Sequence, residues 1–136
     1  MTSSQFPIAI HILTLLATTD QEWLSSEYIA GSININPVLV RKEIVNLRKF
    51  GLVKSKAGKS GGTRLAKKAS DICLGDIYHA TRPVQLLGQL KNEPNPDCPI
   101  GRQINQHIQK LYRDAEEALV FNLGKTNLQD FCQQFE

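Results

Sequence analysis

The densest chemistry in this chain is cationic. Between residues 54 and 68, KSKAGKSGGTRLAKK, six Lys and Arg stand with three glycines and no acid. Clustered positive charge suits a polyanion, because each neutralised phosphate releases condensed counterions. Glycines beside lysines can also cradle phosphate, but that loop needs G-x-x-x-x-G-K-[ST] at the opening of a helix. Here Gly58-Lys59-Ser60 has no glycine at the upstream spacing and a strand pattern follows, so nucleotide binding is rejected. Residues 36–68 as a whole hold ten Lys and Arg against a single acid, Glu43, for a net +9 in a chain of net +3; the remainder carries −6.

The other reactive side chains do not form a set. Cys73, Cys98 and Cys132 are odd in number and far apart, which fits neither a disulfide framework nor a C-x-x-C metal motif. His11, His79 and His107 stand singly on helical stretches and read as packing or surface residues. No base is placed by sequence to serve Cys98 as a nucleophile. The expectation is therefore no catalytic residue, no metal site and no cofactor.

The elements around the basic quarter give it a shape. At 136 residues, 41% hydrophobic and 21% charged, the chain should fold around one modest core. The longest apolar stretch, residues 8–17, is interrupted by His11 and Thr14 and is too short to span a bilayer. With no basic segment before it, the expected location is the cytoplasm, away from membranes. Residues 4–19 carry Phe6, Ala9, Ile10, Leu13, Leu16 and Ala17 at helical spacing, with Pro7 in the first turn. After a polar break at residues 18–22, Ser25 or Ser26 can cap a short helix burying Ile29, Ala30 and Ile33. A third helix follows: Asn36 is a good N-cap, Pro37 suits the first helical position, and Gly51 ends it.

At about 100° per residue, Val40, Ile44 and Leu47 share one face of this third helix. Val38, Arg41, Lys42, Val45, Arg48 and Lys49 cluster opposite. Val38 and Val45 can meet thymine methyl groups, while Asn36 and Arg41 reach for phosphates or base edges. Residues 52–56 and 63–65 then read as two strands joined by a glycine loop whose residues permit positive φ. The expected fold class is mainly α with a small β-hairpin, a winged helix-turn-helix followed by a long C-terminal dimerisation helix. Its basic third helix enters the major groove and its hairpin reaches the flanking backbone. The expected DNA-contacting residues are Asn36, Pro37, Val38, Arg41, Lys42, Val45 and Lys49 on the helix, with Lys54, Lys56, Lys59 and Arg64 on the wing.

The stretch SSEYIAGSININPVLVRKEIVNLRKFGLVKSKAGKSGGTRLAKKASDICLGDIYHA resembles the Rrf2 family of bacterial transcriptional regulators. The resemblance rests on IA, NP-x-x-VR, GLV-x-S, G-x-x-GG and an I-x-L-x-DI-like stretch in which Cys73 stands at the usual Thr, and it covers about residues 6–81. The tail, with NPDCPIG before a long helix, is most similar to the YwnA-type branch. The resemblance implies a homodimer that binds a palindromic double-stranded DNA operator, with residues 36–50 as recognition helix and 54–64 as wing. Several members hold an iron-sulfur cluster through three cysteines in the loop before the dimerisation helix. Here that loop has one, Cys98, which points to a cluster-free regulator.

The C-terminal part supports a dimer from its own pattern. Over residues 99–123, Ile104, Ile108, Leu111, Ala115, Ala118 and Asn122 recur at heptad spacing, widened by Ile100, Leu119 and Leu123. A helix of about 25 residues is long for a domain with a radius of gyration of about 13 to 15 Å, so packing against a second copy is expected. Ile104, Ile108, Leu111, Ala115, Ala118 and Leu119 are the expected dimer contacts. Thr126 and Gln129 would form a capping box for a terminal helix carrying Leu128 and Phe131. Cys98, just before Pro99, is expected at the N-cap of the long helix, where backbone N–H groups favour a thiolate and an oxidant-sensing role. The division expected is 1–82 for DNA binding and 83–136 for linker, dimerisation helix and terminal helix. The leading reading is a repressor answering to an oxidant or a small molecule. Two alternatives stand beside it: a winged-helix module that binds protein, separable from DNA binding by salt dependence, and a cluster-binding redox sensor with atypical ligands.

Overall fold

A computed structural model describes residues 4–19, 22–82 and 86–135. Residues 20–21 of the expected polar break and 83–85 of the expected linker lie outside that set. In order come α1 (Gln5–Ala17), α2 (Ser26–Ile33), α3 (Pro37–Lys49), β1 (Val53–Lys56), β2 (Gly62–Leu65), a 3-10 turn (Ala69–Asp71), α4 (Leu74–Thr81), α5 (Gly101–Leu123) and α6 (Leu128–Cys132). None of these helices is long and apolar enough to cross a membrane.

The caps explain the boundaries. The Ser25 hydroxyl accepts from Tyr28 N–H at 3.1 Å and starts α2. Asn34, at φ 65° and ψ 49°, ends it in the left-handed conformation that asparagine tolerates, and its N–H donates to Ala30 O at 2.7 Å. Two residues later Asn36 Oδ1 accepts from Val38 N–H at 2.8 Å, and Pro37 opens α3. The helix-turn-helix is thus closed by a three-residue corner. Gly51 at φ 75° releases the chain from α3 into β1.

α1 is the central support, packed against α2, α3, α4, α6 and β2. Its fully buried residues are Ala9, Ile12 and Leu13, with Leu16 close behind. They meet Ile29, Val40, Ile44, Leu47, Val53, Ile72, Ile77 and Leu128 in one core. Ile12 was absent from the expected apolar stripe, and Phe6, Ile10, Ala17 and Ile33 are only half-buried. Leu128, from the last helix, is fully enclosed in the core that also supports α3, so α6 packs back onto the N-terminal elements.

Two expected boundaries are corrected. The regular turns of the long helix run from Gly101 rather than from Pro99, while Cys98 keeps the capping contacts expected of it: its O accepts from Arg102 N–H at 3.0 Å and its Sγ from Gly101 N–H at 3.3 Å. The NPDCPIG segment first makes a turn: Asn95 Oδ1 accepts from Asp97 N–H at 2.9 Å and Asn95 O from Cys98 N–H at 3.1 Å. That turn folds tightly over Gly101, where a Cβ would come within 2.6 Å of Asn95 O. The capping pair of α6 is Asn127 with Asp130, one residue beyond Thr126 and Gln129; Asn127 Oδ1 accepts from Asp130 N–H at 2.7 Å. The shift arises because residues 126–128 run extended against 72–74, with Leu74 N–H on Thr126 O at 2.9 Å and Leu128 N–H on Ile72 O at 2.7 Å.

Candidate nucleic-acid interface

α3 turns Val40, Glu43, Ile44 and Leu47 into the core and leaves Val38, Arg41, Lys42, Val45, Arg48 and Lys49 exposed. The outer face is therefore cationic with two apolar points, Val38 and Val45, 61% and 43% exposed. Asn36 uses its side-chain oxygen as the helix cap, so its amide nitrogen is the group left facing outward. Arg41 makes an ion pair with Glu27 of α2, both side chains being more than half exposed. The pair joins α3 to α2 across the helix-turn-helix corner.

The hairpin pairs Val53 with Leu65, Lys54 with Arg64, Ser55 with Thr63 and Lys56 with Gly62. The period of two places Val53, Ser55, Thr63 and Leu65 on one face and Lys54, Lys56 and Arg64 on the other. Directly opposed like charges destabilise a bare hairpin. Trp23 relieves this: Arg64 lies 4.2 Å from the ring centroid and Lys56 5.8 Å. Leu24, next in sequence, adds a short third edge to the wing, exchanging bonds with Thr63 of 3.0 and 2.8 Å. Trp23 and Leu24 were missed in the sequence, where two residues after a polar break carry no periodic signal. The lone tryptophan beside a basic hairpin was the available clue.

The loop glycines have distinct duties. Gly58 adopts φ 99° at the tip, whereas at Gly61 a Cβ would lie 2.0 Å from Lys56 O. Lys59, between them, is exposed. A shallow cleft of about 440 Å3 beside the hairpin is lined by Lys54, Arg64, Lys67 and Lys68 over Leu16 and Ala17, extending the positive surface toward α1.

Glu43 is the acid of the basic quarter, yet it is 4% exposed. It accepts from Gln5 Nε2 and from Asn46 Nδ2, each at 3.1 Å, and Asn46 also donates to Ala80 O at 2.8 Å. Its role is to tie α1, α3 and α4 together behind the cationic face.

The cysteines remain apart. Cys73 caps α4, its N–H donating to Asp76 at 3.0 Å; Cys132 lies half-buried in α6; Cys98 is exposed, its Sγ accepting from Gly101 N–H at 3.3 Å. Burial pushes the Cys132 thiol up from its ordinary pKa, the Thr14 hydroxyl opposing. Among the described residues no group of three His, Cys, Asp or Glu is placed to hold a metal ion. Ile104, Ile108 and Leu119 are half-buried on α5, while Leu111, Ala115 and Ala118 face solvent. The opposite flank of α5 is held inward: Glu116 takes Arg82 at 2.7 Å and Tyr78 OH at 3.4 Å.

A helix-turn-helix corner, a cationic helix and a cationic glycine-tipped hairpin define a winged helix-turn-helix transcriptional regulator. The chain belongs to the Rrf2 family, whose model, described as iron-dependent transcriptional regulator, matches residues 2–134. It is 35% identical over 130 residues to the Bacillus subtilis (strain 168) protein named "Putative HTH-type transcriptional regulator YwnA", covering 96% of each chain. The fold is also that of CymR, the global cysteine regulator of B. subtilis (TM-score 0.72, 23% identity, 100% of this chain and 98% of that one). It matches T. potens IscR as well (TM-score 0.71, 23% identity, 100% and 88%). The family and these relatives are transcriptional regulators, not enzymes. Among the described residues no group of three His, Cys, Asp or Glu is placed to take the iron of the family's description.

Proposed function

We propose that this chain is a homodimeric, sequence-specific DNA-binding repressor acting in the cytoplasm. The observation that carries the reading is that the outer face of α3 and the outer face of the hairpin are both cationic. α3 lies in the major groove, with Arg41 and Lys42 toward base edges and phosphates and Val38 and Val45 toward thymine methyls. Lys54, Lys56, Lys59 and Arg64 follow the flanking backbone. The open α5 stripe through Leu111, Ala115 and Ala118 pairs two copies, and the two-fold axis presents two recognition helices to a palindromic operator. Residues 1–82 then read DNA, and residues 83–136 assemble the dimer.

Cys98 is the thiol suited to an oxidant, being exposed at the foot of α5; its oxidation would disturb the turn that seats the helix. A second reading draws on Tyr28, Leu39 and Phe50, which are 57%, 49% and 53% exposed around the helix-turn-helix and would suit a protein partner. Selection of bound genomic fragments, followed by affinity against salt, decides between them. A repressor yields a palindromic site and a steep fall of affinity with ionic strength; a protein-binding module yields neither.

A further inference from the structure

We propose that Glu116 sets the half-site spacing this regulator accepts on DNA, by holding α5 at a fixed angle to the DNA-reading elements through the last turn of α4. The inference rests on the proposed dimer for its effect on DNA, but not for the clamp itself. A two-fold dimer reads two half-sites whose separation follows from the geometry of the protein. Here that geometry passes through α4, which packs against α1 and α3 on one side and against α5 on the other.

The last turn of α4 is bonded in both directions. Toward the recognition helix, Ala80 O accepts from Asn46 Nδ2 of α3 at 2.8 Å. Toward α5, Arg82 Nη1 donates to Glu116 Oε1 at 2.7 Å and Tyr78 OH to Glu116 Oε2 at 3.4 Å. One carboxylate thus takes a donor on each oxygen. The turn itself is held: the Tyr78 ring lies edge-on to Phe6 of α1 with centroids 6.1 Å apart, and the Thr81 hydroxyl donates to Ile77 O at 2.9 Å.

A single contact fixes where a helix lies, and a second fixes its direction. The first is at the start of α4, where a Cβ on Gly75 would lie 3.5 Å from Val120 O and 3.6 Å from Gly124 N. Just beyond it residues 126–128 pair with 72–74, and Leu128 is buried in the core. Glu116 is the second, about 6 to 12 Å away along the helix at about 1.5 Å per residue. Gly101 lies about 22 Å further on, so a small turn at Glu116 becomes a larger displacement there. The bonds of Tyr112 to Leu87 O and of Asn105 to Asn92 O, both 3.4 Å, run to the loop before α5 rather than to a DNA-reading element.

As a source of stability the clamp is minor. The Arg82 and Glu116 side chains are 46% and 39% exposed, and exposed pairs are worth at most about a factor of five in an equilibrium. Its consequence is geometric. One base pair added between half-sites moves one of them by about 3.4 Å and turns it by about 35° around the duplex. Clamped protomers must strain to follow, whereas protomers without the clamp can pivot at α4.

The first test uses no DNA. Energy transfer from Trp23, the lone tryptophan, to a dye on the exposed Cys98 reports how the foot of α5 lies relative to the wing. The labelled chain is diluted into an excess of unlabelled Trp23→Phe chain, so that donor and acceptor belong to one copy. Glu116→Ala should widen the distribution of distances, and Glu116→Gln, which keeps an acceptor for Tyr78, should widen it less. A distribution unchanged by Glu116→Ala overturns the clamp. The second test uses duplexes carrying the selected palindrome with its spacer kept, lengthened or shortened by one base pair. Wild type should prefer the original spacing, and in Glu116→Ala that preference should shrink by about fivefold per protomer, while affinity for an isolated half-site stays at the wild-type value. An unchanged preference, or a half-site affinity that falls with it, overturns the positioning role. Thermal melting and sedimentation check folding and pairing; should Glu116→Ala fail either, Arg82→Ala removes one arm of the clamp without touching α5 and carries the same expectations. If the distance distribution widens but selection yields no palindrome, the clamp stands and the dimeric repressor reading fails.

Discussion

Glu43 shows how much a single residue can hide in a charge count. As the lone acid among ten cations it reads as a solvated neighbour, yet it faces the core. The signal was available: at about 100° per residue it falls about 40° beyond Leu47, at the edge of the arc that Val40, Ile44 and Leu47 define. Glu43→Ala would leave the Gln5 and Asn46 amides without this acceptor and should cost about 1 to 3 kcal/mol, read by chemical denaturation, with DNA affinity falling only as far as stability does. The cysteines divide along exposure, which sequence does not report. Cys98 should alkylate fast in the folded protein and Cys132 slowly. Because burial raises Cys132 above its ordinary value near 9.0, the protonated thiol is the form the fold favours. Its contribution is intact below about pH 9 and lost as pH rises through the raised value. A melting temperature that falls in that alkaline window in wild type but less in Cys132→Ala would show it. Tyr78 has the same sign above its ordinary 10.0, pushed up by burial and by Glu116 against Arg82.

At the scale of elements, what was legible had a period or a cap. α2, α3 and the hairpin came out within a residue because Ser25, Asn36, Pro37 and Gly51 are local punctuation whose effect needs no tertiary partner. What failed depended on a distant strand or turn. The start of α6 moved because residues 126–128 pair with 72–74, and the start of α5 moved because the loop at Asn95 folds onto Gly101. The wing likewise depends on a distant edge, Leu24, and Gly62 meets it at φ 148°, where a Cβ would lie 2.5 Å from Leu24 O. Gly62→Ala should therefore distort the wing and weaken DNA binding while leaving the helical circular dichroism intact. Within an intact wing, Lys59→Ala should lower the slope of log affinity against log salt by about one unit. Arg64→Ala should do the same, and Trp23→Ala should act through Arg64. An unchanged slope in all of them would take the wing out of the interface.

At the scale of the molecule, the question is what covers α5. Its 23 residues include none that is buried within one chain, although the heptad stripe is apolar. One flank is occupied, by Tyr78 and Arg82 on Glu116 and by Leu87 O accepting from Tyr112 at 3.4 Å. The adjoining face, through Leu111, Ala115 and Ala118, is open. Leu111 is the sharpest probe of it, because at 61% exposure a charge there is tolerated by the single chain. In a paired α5 the same charge would sit on the two-fold seam, desolvated and close to its own symmetry mate. Leu111→Glu should therefore leave the melting curve of the dilute chain unchanged and abolish the dimer in sedimentation. Affinity for a palindromic site should fall toward that for a half-site, because the second recognition helix no longer arrives with the first. A variant that still sediments as a dimer, or a wild type that is monomeric at micromolar concentration, would mean that the stripe of α5 is covered by something other than its own copy.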